Sequence, residues 1–186
     1  RINQTVFQKT VAINDFYFHG PDGGYPLGQI QSQGRTHGVM AQTVVPWLPL
    51  WVYNAWVARG VDWLAMSEDL PRPDNRVTIE ADGQIRIHYH PNNVGAHKRL
   101  VREMKRILRR LGYWVVITYS HKEQNTTHQC GTLCFGTDPR ESVLDPYCRS
   151  HDIENLFVVD ASFFPSSAAV NPGLTIAAQA LRVADH

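Results

Sequence analysis

No run of this chain is apolar over enough consecutive residues to cross a bilayer, so no membrane-spanning segment is expected. No signal-peptide pattern opens it. No excess of charge stands out either. Eighteen Lys and Arg against seventeen Asp and Glu leave a net charge of +1, which offers no electrostatic case for nucleic acid or a membrane surface as partner. Cysteine is scarce. Three thiols, an odd number, argue against a disulfide framework and lean towards a reducing, cytoplasmic setting, with the compartment left open. Internal repeats and low-complexity tracts are absent.

What is present is ordinary globular material. With 43% hydrophobic and 19% charged residues, 186 residues suffice for one sizeable core, or for one domain with part of a second. The chain opens on Arg1 straight into an alternating stretch over Val6–Ile13, like a chain joined in the middle of something. Strand pattern is expected over Thr5–Phe18 and again over Gln29–Gln33, with a turn cluster at Gly20-Pro21-Asp22-Gly23-Gly24 between them. The Trp-, Val- and Leu-rich stretch Val39–Ala58 carries Pro46 and Pro49, so a helix there starts after Pro49 and ends near Gly60. Its large aromatics suit packing in a core or at a domain interface.

Val77–Glu80 and Ile85–Tyr89, around Asp82-Gly83, read as a hairpin. Asn92 and Asn93 are candidate caps for the clearest helix, Val94–Leu111, whose apolar residues share one face and which Gly112 closes. Its other face, with seven Lys and Arg from Lys98 to Arg110, reads as solvated. Tyr113–Tyr119 has strand pattern.

The last third is the most informative. Leu156-Phe157-Val158-Val159 is a continuous apolar run, the pattern of a strand buried on both faces, and Asp160 falls at its C-terminal end, where open α/β sheets place ligand-binding groups. Asn171-Pro172 then opens a helix in the expected way, Asn as N-cap and Pro at the first helical position. The helix over Gly173–Ala184 is apolar on nearly every side and is expected to be deeply buried. Its N-terminus suits an anionic or carbonyl-bearing ligand.

His128-Gln129-Cys130-Gly131-Thr132, Phe135-Gly136-Thr137-Asp138-Pro139 and Ser142-Val143-Leu144-Asp145 are followed by Glu154–Pro165 and Asn171-Pro172-Gly173-Leu174-Thr175-Ile176. In order and spacing this series resembles the C-terminal signature of the glucose–methanol–choline (GMC) oxidoreductase family. The close match covers about a third of the chain. The preceding hairpin and amphipathic helix resemble that family's substrate domain more loosely.

The resemblance implies an α/β (α+β) chain: an antiparallel-sheet substrate-binding domain with helices over residues 1–125, then residues 126–186 with the catalytic loop and a strand and helix that complete an FAD-binding α/β domain. It implies FAD as cofactor and a small-molecule alcohol as substrate. It gives His128 the role of base, consistent with an imidazole that titrates near neutrality, and makes Asn171 the second active-site group. Asp160 and Ala161 would lie along the ribityl and phosphate region, and Asn171 and Pro172 at the flavin ring. Thr175 is a further cofactor contact, weighed evenly against a hydroxyl bonded back to its own helix. Cys134-Phe135 stands where the family commonly has Arg-Met, so a basic residue is missing near the active-site wall.

One part of such an enzyme has no counterpart here. A Gly-x-Gly-x-x-Gly turn between strand and helix does not occur; Gly20-x-x-Gly23-Gly24 has the wrong spacing and no helix pattern behind it. A missing N-terminal FAD-binding region is therefore expected as partner. Two other classes stay open. His128, Cys130, Cys134, Cys148 and His151 could hold zinc, although their spacing lacks a Cys-x-x-Cys pair, and the reading without a bound metal is preferred. Alternatively, the chain is a non-catalytic binding module that uses Trp47–Trp56 to hold an apolar ligand.

Overall fold

A computed structural model describes residues 9–44, 46–120 and 128–186, and the chain forms two compact units in it. The first comprises the chain up to Ser67 together with Gly95–Trp114. The second comprises Glu68–Val94 and Val115–His186. Helices and antiparallel strands are mixed throughout, an α+β fold.

In the first unit, β1 (Ala12–Ile13), β2 (Gln29–Gly34) and β3 (Asp62–Met66) form an antiparallel sheet with β2 in the centre. Ile30 faces Ile13 on one side and Ala65 on the other, and is wholly buried. Gln31 and Ser32 are buried too, at a cost met by local partners: Gln31 Nε2 reaches Met66 Sδ, and Ser32 Oγ accepts from Gly34 N–H across a bulge. The expected Thr5–Phe18 strand is reduced to β1, and its first residues lie outside those described. Two helices, α1 (Gly38–Val44) and α2 (Leu50–Val57), pack on each other. The sequence pattern foresees only the second. Of the aromatics there Tyr53 is buried, whereas Trp47 and Trp51 are about three-quarters exposed.

Helix α3 (Val94–Arg110) buries Ala96, Leu100, Met104 and Leu108, a stripe four residues apart that is narrower than the apolar pattern suggests. It stops as expected. Gly112 takes φ +92°, its N–H donates to Arg109 O, and Tyr113 N–H donates to Leu108 O, the paired bonds of a Schellman ending. Of the two asparagines before it, Asn92 is spent elsewhere. Asn92 exchanges two hydrogen bonds with the Leu70 backbone, and Asn93 Nδ2 donates to Glu68 O. Residues 115–120 form no strand, and Trp114 and Val115 are exposed. Apolar alternation makes a strand only where a neighbouring backbone supplies hydrogen bonds.

The second unit contains the hairpin β4 (Arg76–Ile79) and β5 (Ile85–His88), turned by a loop in which Gly83 takes φ +80°. Val77 pairs with Ile87 and Ile79 with Ile85, and all four side chains are exposed. The remainder of the unit is mostly loop, with a short 3-10 turn at Ala161–Phe163 and helix α4 (Gly173–Ala184). The strand expected over Leu156–Val159 is only an isolated antiparallel bridge between Phe157 and Arg149, and Leu156 and Phe157 are exposed. Helix α4 contains no buried residue, and Leu174 is 89% exposed. Hydrophobicity on every side permits burial on every side; it does not supply the covering surface.

Gly28 generates a test. It takes φ +126°, and a Cβ placed there would meet the Met66 carbonyl oxygen at 2.0 Å, a backbone atom that cannot rotate away. Gly28→Ala should lose roughly 2–4 kcal/mol in urea unfolding, from strain where β2 begins beside the end of β3. Gly95→Ala, with open space at its Cβ, should be neutral or gain about 0.5 kcal/mol. Equal midpoints for the two variants would refute this account of Gly28.

Candidate active site

Leu144, Cys148, Phe163 and Phe164 form a buried cluster in the second unit, with Cys130, Leu133, Val158, Val159, Ile176 and Val183 packed against it. Three segments bearing candidate residues thus share one floor. The first carries His128, two positions before Cys130. The second carries Asp160 and Ala161, between Val159 and Phe163. The third is α4, whose first turn carries Thr175 beside Ile176 and follows Asn171-Pro172.

His128 is half-buried and sits in the left-handed region at φ +62°; Gly131 follows at φ +77°. The loop is tied down by Leu133 N–H donating to Ser162 O at 3.2 Å, and by Cys134 Sγ donating to Gly131 O at 3.3 Å. Beyond it, Cys134 O accepts from the N–H groups of both Val143 and Leu144. His151, singled out for metal binding by sequence, instead bridges this loop: Nε2 lies 3.1 Å from both Ser142 Oγ and Gly136 O.

Asp160 is exposed and caps the 3-10 turn, its Oδ1 accepting Ser162 N–H at 2.8 Å. Hydrogen bonds from Ser162 hold its carboxyl below the ordinary carboxylate value. Ala161 and Pro172 are half-buried, and Asn171 and Thr175 are exposed. The helix start differs by one position from the sequence reading. Pro172 occupies the cap position, and its C=O accepts from Ile176 N–H. Open space surrounds the Cβ position of Gly173 at the first turn of α4. At its far end α4 is fastened by Gln179 Nε2 to Cys148 Sγ, by Arg182 Nη1 to Pro146 O, and by the Arg182 guanidinium 4.6 Å over the Tyr147 ring.

The three thiols lie in different surroundings: Cys148 buried, Cys134 exposed, Cys130 between. Burial pushes the Cys130 thiol up, with further contributions from Asp69, Cys134 and Glu68. Among the described residues no group of three or more His, Cys, Asp or Glu is arranged to hold a metal ion.

Sequence reasoning missed the backbone strain. Among the described residues, the non-glycine residues with positive φ are Asn93, His128, Cys148, Ala168 and Ala169, all in the second unit. Such residues cost roughly 1–2 kcal/mol each and tend to gather at functional sites. It also missed Glu68 and Asp69, which meet Ser166 and Ser167 across nearly a hundred residues of chain. Two adjacent acids before the Pro71 turn were the only sequence signal.

A family model described as GMC oxidoreductase matches residues 71–180, more than half of the chain. The large subunit of fructose dehydrogenase from Gluconobacter japonicus is 34% identical over 137 residues, 69% of this chain and 25% of that protein. The 6'''-hydroxyparomomycin C oxidase of Streptomyces lividus is 35% identical over 123 residues, 61% of this chain and 22% of the relative. The 2-methyl-1,2-propanediol dehydrogenase of Mycolicibacterium austroafricanum is 32% identical over 131 residues, 64% and 23% respectively. The chain thus spans about a quarter of the length of these curated relatives.

A pH dependence follows from the carboxylates. Burial raises Asp145, but N–H bonds from Arg149 and Tyr147 outweigh it, so Asp145, like Asp160, is held below the ordinary value of 3.8. A carboxylate depressed in the folded state contributes stability that is fully present above its unfolded value and is lost as pH falls through the folded one. Urea midpoints should be flat on this account from about pH 5 to 7 and fall below about pH 4. Asp145→Asn should flatten that fall. An unchanged acid limb in the variant would remove Asp145 from the explanation.

Proposed function

The chain belongs to the GMC oxidoreductase family, and from that premise we propose that it carries the substrate-facing and catalytic part of an FAD-dependent alcohol oxidoreductase, with His128 as the base. The observation that carries this reading is the shared floor: the His128 loop, the Asp160 turn and the start of α4 all pack on the Leu144–Phe164 cluster. The relatives' names mention fructose, 2-methyl-1,2-propanediol and 6'''-hydroxyparomomycin C. A small molecule bearing a CH–OH group is the substrate class proposed for this chain as well.

The donor set fits a flavin. Helix α4 offers the positive end of its dipole at its first turn, suited to an anionic pyrimidine edge, and Gly173 leaves room for a planar ring. Asp160, ionised and exposed, suits the hydroxyls of a ribityl chain. Asn171, Pro172 and the first turn with Thr175 would hold the ring, and Asp160 and Ala161 the ribityl and phosphate region. The cofactor, when bound, would supply the redox chemistry by taking up hydride from the substrate carbon. No glycine-rich pyrophosphate turn occurs among the 186 residues, so a further FAD-binding region is the partner this reading requires.

The residues of this chain supply positioning and proton transfer. A neutral His128 ring nitrogen accepts the substrate hydroxyl proton. The Asn171 amide donates to the same oxygen as negative charge gathers there, and it cannot compete for the proton. Strain at His128 and a backbone anchored through Leu133 limit where the imidazole can stand, which is worth rate because misplacement by about 1 Å can cost about 10²-fold.

In the intact, flavin-loaded protein, His128→Ala should slow anaerobic flavin reduction by an alcohol by roughly 10²–10⁴-fold. Asn171→Ala should slow it less. Stopped-flow traces at the parental rate in a flavin-loaded His128→Ala variant would end the assignment of the base. The 186-residue chain purified alone should retain little or no FAD, for want of a pyrophosphate site; a stoichiometric flavin spectrum would overturn that.

A further inference from the structure

The loop that leads into Asn171 is the most strained stretch of the described chain. Ala168 and Ala169 stand side by side in the left-handed region, at φ +45° and +54°, where an alanine has nothing of glycine's freedom. Successive strained residues persist only where surrounding contacts over-determine them. One such contact is burial of Ala169. Further contacts come from the segment Glu68-Asp69.

Ser166 Oγ donates to the Glu68 carboxylate. Asp69 N–H donates to Ser167 Oγ at 2.8 Å, and Ser167 N–H donates back to Asp69 O at 3.4 Å. Two adjacent serines are therefore caught by two adjacent acids immediately before the strained pair. The acids are themselves held. Tyr89 Oη donates to Asp69 Oδ2 at 2.9 Å, Asn93 Nδ2 donates to Glu68 O at 2.9 Å, and Asn92 exchanges two bonds with Leu70. All of these groups belong to the second unit.

We propose that Glu68 and Asp69, with Ser166 and Ser167, form a positioning latch: they hold the Ala168–Ala169 turn in its strained conformation and so set where the Asn171 amide stands. These residues do not touch the reacting atoms; they act through Asn171. The proposal rests on the reading of Asn171 as the group that orients the substrate oxygen. Its physical content is that the latch bonds offset strain that a relaxed loop would release by moving Asn171.

The test uses the intact, flavin-loaded protein and anaerobic reduction by an alcohol substrate. Removing both latch hydroxyls, Ser166→Ala with Ser167→Ala, should lower the limiting reduction rate by roughly 10- to 100-fold, with the substrate concentration at half-saturation little changed. Ser166→Thr with Ser167→Thr keeps both hydroxyls and should restore most of the rate. Adding Asn171→Ala to the double alanine variant should cost nothing beyond Asn171→Ala alone, because both changes remove one function. A parental rate in the double alanine variant, or losses that multiply in the triple variant, would overturn the latch. If Asn171→Ala itself runs at the parental rate, the active-site reading of Asn171 fails and the latch's catalytic role with it. A slow Asn171→Ala beside a fast double alanine variant removes the latch alone. If the double alanine variant loads no flavin, Glu68→Ala, which removes the acceptor for Ser166, takes its place and should lower the limiting reduction rate by roughly 10-fold; a parental rate there overturns the latch.

Discussion

Leu144 and Cys148 are wholly shielded from water, and Phe163 and Phe164 nearly so. Everything of interest in the second unit depends on that small cluster. Burying a Leu or Phe side chain is worth about 1.5–3 kcal/mol, so these few residues together offset the cost of holding His128, Cys148, Ala168 and Ala169 in the left-handed region at roughly 1–2 kcal/mol each. There is little regular secondary structure to share the task. The loop from Cys134 to His151 is instead closed by its own backbone bonds, Gly136 N–H to Leu144 O and Asp145 N–H to Arg149 O among them.

An irregular floor of this kind does something a sheet would not. A strand alternates its side chains and fixes them on two faces. A loop anchored at chosen points can carry polar residues such as His128, Asp160 and Asn171 on segments whose hydrophobic residues pack on one cluster. The cost is that each anchor matters singly. Asp145 holds its turn by accepting from Tyr147 and Arg149, His151 spans Ser142 and Gly136, and Gln179 ties α4 to Cys148.

Local features were legible in the sequence wherever local physics decides. The hairpin around Gly83 and the Schellman ending at Gly112 follow from residues a few positions apart, and β2 and α3 came within a residue or two. Reading failed where a distant partner decides. Leu156–Val159 and residues 113–119 have strand composition, but pairing needs a neighbouring backbone. Leu174 and Leu181 are apolar, yet only the Ile176 and Val183 side of α4 meets the cluster. Asn92 would cap a helix well, but the Leu70 backbone claims its side chain.

The sequence by itself determined the family, through the ordered signature from His128 to Ile176, and with it the residue types available for chemistry. That is possible because a motif's identity and spacing are properties of the chain alone. Only the tertiary structure decided that the three segments bearing those residues share one floor, that strain gathers around them, and that Ser166 and Ser167 meet Glu68 and Asp69. Neither a buried contact across nearly a hundred residues nor an alanine held at positive φ leaves a mark in local sequence, since both are imposed by what surrounds them.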